Sequence, residues 1–138
     1  MTTSGDVKVG DTLPGFTRHT SFANWNRYAA VNDEFVPIHM DEEAARATGL
    51  PGAIGMGTLQ WAYLHNAVRA WLGDGGRIVA MACQFRAQNR KDQVVTATGR
   101  VTKVASTDAG IEVTLDVWTE DEDANQLAPG SCTVVFDA

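Results

Sequence analysis

The chain has 138 residues, of which 44% are hydrophobic and 20% charged, and its formal net charge is −6. A chain of this length accommodates one domain with a real core, and this composition is too apolar for a disordered protein. The acidic balance excludes a general nucleic-acid binder, which needs clustered Lys and Arg to neutralise phosphates.

Residues 1–8 are polar and lack the apolar run of a signal peptide, and no stretch reaches the roughly 18 apolar residues of a membrane span, so a cytoplasmic location is expected. After this loose tail, residues 12–20 read as a short irregular strand broken by Pro14 and Gly15. Ser21 is placed to cap a helix running to about Val31, in which Phe22, Trp25, Tyr28 and Ala29 recur at helical spacing and define one buried face. Residues 32–40, NDEFVPIHM, cannot prolong that helix, because Pro37 has no amide hydrogen and pushes Val36 out of the helical region. An irregular loop is expected there. Asp41 caps a second short helix, which Gly49 and Pro51 close.

The segment LPGAIGMG then leads into the longest helical pattern, Thr58 to Leu72. It is apolar nearly all round, with one narrow polar stripe of His65, Asn66 and Arg69, so other structure must wrap it. Strands follow at 77–88, 93–105, 110–119 and 126–137, separated by polar turns. Ile111, Val113, Leu115 and Val117 alternate with Glu112, Thr114, Asp116 and Trp118, the signature of a half-buried antiparallel strand. One buried helix followed by consecutive strands implies a single α+β domain over 1–138, its sheet curling around the helix. Cys83 and Cys132 lie in strand-like runs without CxxC spacing and read as reduced, buried thiols.

The chemistry concentrates in two places. Glu34 and His39 are five residues apart on a loop stiffened by Pro37, so a carboxylate and an imidazole can face one water. Histidine suits general acid-base work because its ordinary pKa lies nearest neutral pH. Gly57, at the start of the buried helix, offers an amide and the positive end of a helix dipole to a developing oxyanion. Asp33 is an alternative carboxylate beside Glu34. Asp41 reads as a helix cap: His39-x-Asp41 lacks the further ligands that a metal would need. Gln60, on the side of the helix opposite the polar stripe, is placed to approach a substrate chain. Arg86, Arg90 and Lys91 form a basic cluster of solvated turn charges that could also meet phosphates.

The segment from Ser21 to Leu59, with Asp33, Glu34, Pro37, Ile38 and His39 followed by a short helix and the Gly55, Met56, Gly57 turn, resembles the MaoC-like, R-specific enoyl-CoA hydratase family. In that family an Asp and a His five residues apart sit in a loop of the form S-G-D-x-N-P-[IL]-H, and a Gly-rich turn, typically H-G-M, opens the central helix. Here the acid position holds Glu34, the family's Asn is Val36, and Met56 stands where a His usually precedes the helix glycine.

The resemblance implies a hot-dog fold, an antiparallel sheet around a long central helix. It also implies a lyase that hydrates an enoyl thioester or dehydrates a 3-hydroxyacyl thioester. Glu34 and His39 would be the catalytic pair and Gly57 the oxyanion donor. It implies an acyl thioester of coenzyme A or of a carrier protein as substrate, no metal or other cofactor, and at least a homodimer with substrate between the subunits. Two other classes stay open: a weakly catalytic partner subunit of a heteromeric dehydratase, favoured by Val36 and Met56, and a hot-dog thioesterase.

Overall fold

Ser21 begins the first long helix: its side-chain oxygen accepts from the N–H of Asn24 at 3.4 Å and satisfies one of the free amides of the first turn. The computed structural model describes residues 2–137. Its elements in chain order are β1 (Phe16–His19), α1 (Phe22–Asn32), a 3-10 turn (Pro37–His39), α2 (Glu42–Ala47), α3 (Gly57–Leu72), β2 (Gly76–Cys83), β3 (Val94–Thr107), β4 (Gly110–Glu120) and β5 (Gln126–Phe136).

The five strands form one antiparallel sheet in the order β1-β3-β4-β5-β2. The helix α3 packs against all five. This is the hot-dog arrangement that the resemblance implies. The sheet's inner face carries Val95, Ala97, Val101, Val113, Leu115, Val117, Cys132 and Val134, all buried, and α3 meets it with Leu64, Val68 and Leu72. Burying side chains of this kind contributes about 1.5–3 kcal/mol each, so the α3-to-sheet contact is the main source of stability. Trp25 and Ala29, the buried residues of α1, join the same core.

The expected elements are all present, with two shortened: β1 is confined to Phe16–His19 of the expected 12–20, past the break at Pro14 and Gly15. β2 ends at Cys83, whereas the sequence pattern carried the strand on to residue 88. The chain past Cys83 still bonds to β5, through Gln84 N–H to the Pro129 carbonyl, but Arg86 and Ala87 then both donate to the carbonyl of Leu127. Two donors on one acceptor break the ladder, and the side chain of Phe85 is left half-exposed. The loop 32–40 is irregular as expected, with a single 3-10 turn inside it. Asp41 caps α2, its Oδ1 accepting from Glu43 N at 2.8 Å and Ala44 N at 3.0 Å. Cys132 is buried and Cys83 half-buried, and burial pushes the Cys132 thiol up to about 12. Among the described residues no helix is long and apolar enough to cross a membrane.

Candidate active site

The site is built where α1 ends. Asp33 takes the left-handed conformation (φ 53°, ψ 41°), which a short polar side chain tolerates, and both Asp33 N–H and Glu34 N–H turn back onto the carbonyl of Ala29. This reversal leaves Asp33 exposed and carries Glu34 inward to a half-buried position. The two adjacent carboxylates are thus separated by the helix terminator. The Oε2 of Glu34 accepts a hydrogen bond from the hydroxyl of Thr58 at 3.1 Å, in the first turn of α3.

His39 closes the 3-10 turn that Pro37 starts and is buried. Its Nδ1 lies 2.8 Å from the carbonyl oxygen of Ile54. A carbonyl only accepts, so Nδ1 carries the hydrogen, and Nε2 is left as the ring nitrogen that can take or give a proton. The Ile54 N–H returns a bond to the carbonyl of Ile38 at 3.1 Å, so the histidine loop and the segment before α3 hold each other.

That segment is fixed from its other side as well. Ile54 bridges Arg90, and the Gly55 N–H donates to the carbonyl of Asn89 at 2.7 Å. Asn89 is buried, and its Nδ2 donates to Thr20 Oγ1 at 3.1 Å, to the Arg90 carbonyl at 3.2 Å and to Gln93 Oε1 at 3.2 Å. A Cβ on residue 55 would meet Asn89 Oδ1 at 2.6 Å and Trp25 Nε1 at 3.0 Å, so only glycine fits between them.

Gly57 is the first residue of α3, and its N–H has no carbonyl partner within the helix. The amide of Gly55 is committed to Asn89, while among the described residues those of Met56 and Gly57 donate to no backbone carbonyl. The start of α3 therefore gathers an amide, the positive end of a helix dipole, and the Glu34 carboxylate tied to Thr58. One residue upstream of this turn, Ile54 holds His39. A carboxylate, an imidazole with one unengaged nitrogen and an unpaired helix-end amide are groups that can serve acid-base chemistry on a polarised carbonyl compound.

Gln60 lies one turn further along α3, buried, with its Oε1 bonded to the hydroxyl of Thr119 on β4. Its side-chain oxygen is engaged with the sheet and, among the described residues, bonds to neither Glu34 nor His39. Of the basic cluster, Lys91 pairs with Glu42 at 2.9 Å and lies over the ring of Phe22, and Arg86 bonds to Gln84. Arg90 is exposed. His65 and Arg69 of the polar stripe, with Trp61, line a cavity of about 680 Å³ between α3 and the edge strand β2. Among the described residues no cluster of three potential metal ligands occurs.

Ile54, Thr58 and Asn89 frame the candidate site and carry no motif of their own. Ile54 and Asn89 act through backbone carbonyls, which any residue supplies, and Thr58 reaches Glu34 across 24 positions of sequence.

The family model described as the MaoC-like domain matches residues 7–122. Among solved structures, the chain is similar to the (R)-hydratase from A. caviae involved in PHA biosynthesis, with a TM-score of 0.85 at 20% identity over 95% of this chain and 98% of that one. It is similar to the R-hydratase PhaJ1 from Pseudomonas aeruginosa, with a TM-score of 0.86 at 18% identity over 98% of this chain and 85% of that one. The ChsH1-ChsH2 complex from Mycobacterium tuberculosis matches with a TM-score of 0.80 at 19% identity over 94% of this chain and 98% of the other. At these identities the likeness shows the fold. No curated protein matches the sequence.

Proposed function

Because the chain belongs to the MaoC-like domain family, we propose that it is a hydratase or dehydratase acting at the double bond of an enoyl thioester of coenzyme A or of an acyl carrier protein. The observation that carries this reading is the lock of His39 Nδ1 on the Ile54 carbonyl, which leaves Nε2 free in a loop that also delivers Glu34 to the start of α3. The solved (R)-hydratases that share the fold point the same way.

In the hydration direction Glu34, as carboxylate, takes a proton from water as the water oxygen bonds to Cβ of the substrate. Protonated His39 gives its Nε2 proton to Cα. Return of the proton from Glu34 to His39 resets the pair, so atoms and charges balance over the cycle. Throughout, Nδ1 keeps its hydrogen on Ile54 and the ring does not turn. The Gly57 amide faces the thioester oxygen, where negative charge develops between the two bond-forming events. Acid-base catalysis supplies about 10²–10⁴-fold, and one preorganised oxyanion donor about 10²–10³-fold.

The working form in this account is at least a homodimer. β2 is an edge strand with β5 as its one neighbour, and the half-exposed Val79 and the cavity beside α3 lie along that edge. Such an edge is an aggregation hazard unless another strand covers it. The likeness to the ChsH1-ChsH2 complex favours, as a second reading, a subunit that works with a different MaoC-like partner.

Incubation of the purified protein with crotonyl-CoA and longer enoyl-CoAs tests these readings, with enoyl absorbance and free thiol followed together. Loss of absorbance without thiol release is the expected result. Thiol release identifies a thioesterase and overturns the proposal. Loss of neither signal removes the chain as a self-sufficient hydratase for these substrates and leaves the subunit reading.

A further inference from the structure

We propose that Thr58 is a positioning residue that holds Glu34 in its working rotamer, an inference that rests on the hydratase reading above. Glutamate is one methylene longer than the aspartate of the family pattern, and the additional rotatable bond widens the space its carboxylate can sweep. The backbone does little to limit it: Glu34 is tied through its N–H to Ala29, while the next two residues, Phe35 and Val36, are exposed. Among the described residues, the one recorded bond to the Glu34 side chain is the hydroxyl of Thr58 on Oε2, at 3.1 Å.

The place of Thr58 makes this bond consequential. It is the second residue of α3, directly after Gly57. A donor from this turn fixes the carboxylate relative to the Gly57 amide, whatever small movement the loop 33–36 makes. A hydroxyl that gives its hydrogen to Oε2 leaves Oε1 free to receive a proton from water. Thr58 thereby supplies in a side chain the registration that a shorter acid would obtain from the loop backbone itself.

The inference predicts a coupling between residues 58 and 34 that packing alone would not produce. Thr58→Val keeps the shape and removes the donor, and kcat should fall about tenfold, the scale of one hydrogen bond to a charged group, while KM changes by less than about twofold. Thr58→Ser, which keeps the hydroxyl, should restore most of the lost rate. Glu34→Asp draws the carboxylate back by one methylene, out of reach of residue 58, so adding Thr58→Val to it should cost nothing further. A full tenfold fall in that background, or failure of serine to rescue, would overturn the inference.

A second measurement needs no turnover: the carboxyl 13C resonance of Glu34, read on the free protein at neutral pH, should move in Thr58→Val and stay near its original position in Thr58→Ser. An unmoved resonance in Thr58→Val refutes the positioning role. A moved resonance in a protein that leaves every enoyl-CoA untouched upholds the contact and places the failure on the hydratase reading.

Discussion

The ring of Phe85 lies so close over Gly57 that a Cβ built on residue 57 would sit 2.6 Å from Cδ2 and 2.9 Å from Cγ. Glycine is needed there for space. Gly57→Ala must therefore turn the half-exposed ring aside, at the low end of the overpacking range, about 1 kcal/mol. Thermal unfolding should show that loss, and Phe85→Ala should relieve most of it, a non-additivity that marks direct contact.

The same pair isolates the amide. Proline is tolerated at the first position of a helix, and Met56 before it is already extended (φ −67°, ψ 136°), as a residue preceding proline must be. In the Phe85→Ala background, Gly57→Pro should form the helix yet lower kcat about 10²–10³-fold relative to Gly57→Ala, the effect of one missing oxyanion donor. Equal rates in the two double variants would take Gly57 out of the chemistry.

His39→Asn offers a similar separation of structure from catalysis. An asparagine amide can place its nitrogen near the position of Nδ1 and keep the bond to Ile54, while nothing replaces Nε2. Denaturant midpoints should stay close to wild type as kcat falls by about two orders of magnitude. A folded variant with near wild-type turnover would remove His39 from the mechanism.

Much of this was legible in the sequence. The caps at Ser21 and Asp41, the helix from 58 to 72 and the alternation in β4 are each written in side chains, and each stands where those side chains place it. The spacing of Glu34 and His39 drew attention to one loop, and the structure adds why Glu34 is turned inward and Asp33 outward: the left-handed Asp33 ends α1. What the sequence withheld is carried by backbone and by distance. The partner of His39 is the carbonyl of Ile54, which leaves no mark on residue identity. β2 ends before its sequence pattern does, because Gln84, Arg86 and Ala87 keep bonding to β5 after the ladder has lost its register. Gln60 has a polar side chain at a plausible place, and only the fold reveals its bond to Thr119.

Glu42 predicts an acid-sensitive contact. The Ala53 N–H, bonded to its Oε2 at 2.8 Å, followed by the Lys91 ammonium, holds its carboxyl below the usual range. A carboxyl lowered in the folded state stabilises fully above its unfolded value, and that contribution disappears as pH falls through the lower folded value. Glu42→Gln should therefore unfold more easily than wild type at neutral pH, and the two curves should draw together as pH falls below the ordinary glutamate range. Denaturant midpoints across pH 3–7 check this, and a constant gap would refute it.

Thiol accessibility reports on the core. Cys132 is buried beneath α3, with its thiol pushed up to about 12, and Cys83 is half-buried near the end of the edge strand. At neutral pH iodoacetamide should label Cys83 first and reach Cys132 only on unfolding, because thiolate is the reacting form. Mass spectrometry of labelled peptides decides it, and prompt labelling of Cys132 in the native protein would contradict the packing.

In the mechanism we propose, Glu34, and not its neighbour Asp33, is the carboxylate that works with His39. The most direct measurement is the rate of water addition to an enoyl-CoA by Glu34→Gln and by Asp33→Asn, each shown to be folded. Glutamine keeps the shape and cannot take a proton at neutral pH, so Glu34→Gln should lose hydration, Glu34→Asp should keep part of it, and Asp33→Asn should run near the wild-type rate. A normal rate for Glu34→Gln together with a collapsed rate for Asp33→Asn would overturn the assignment of Glu34.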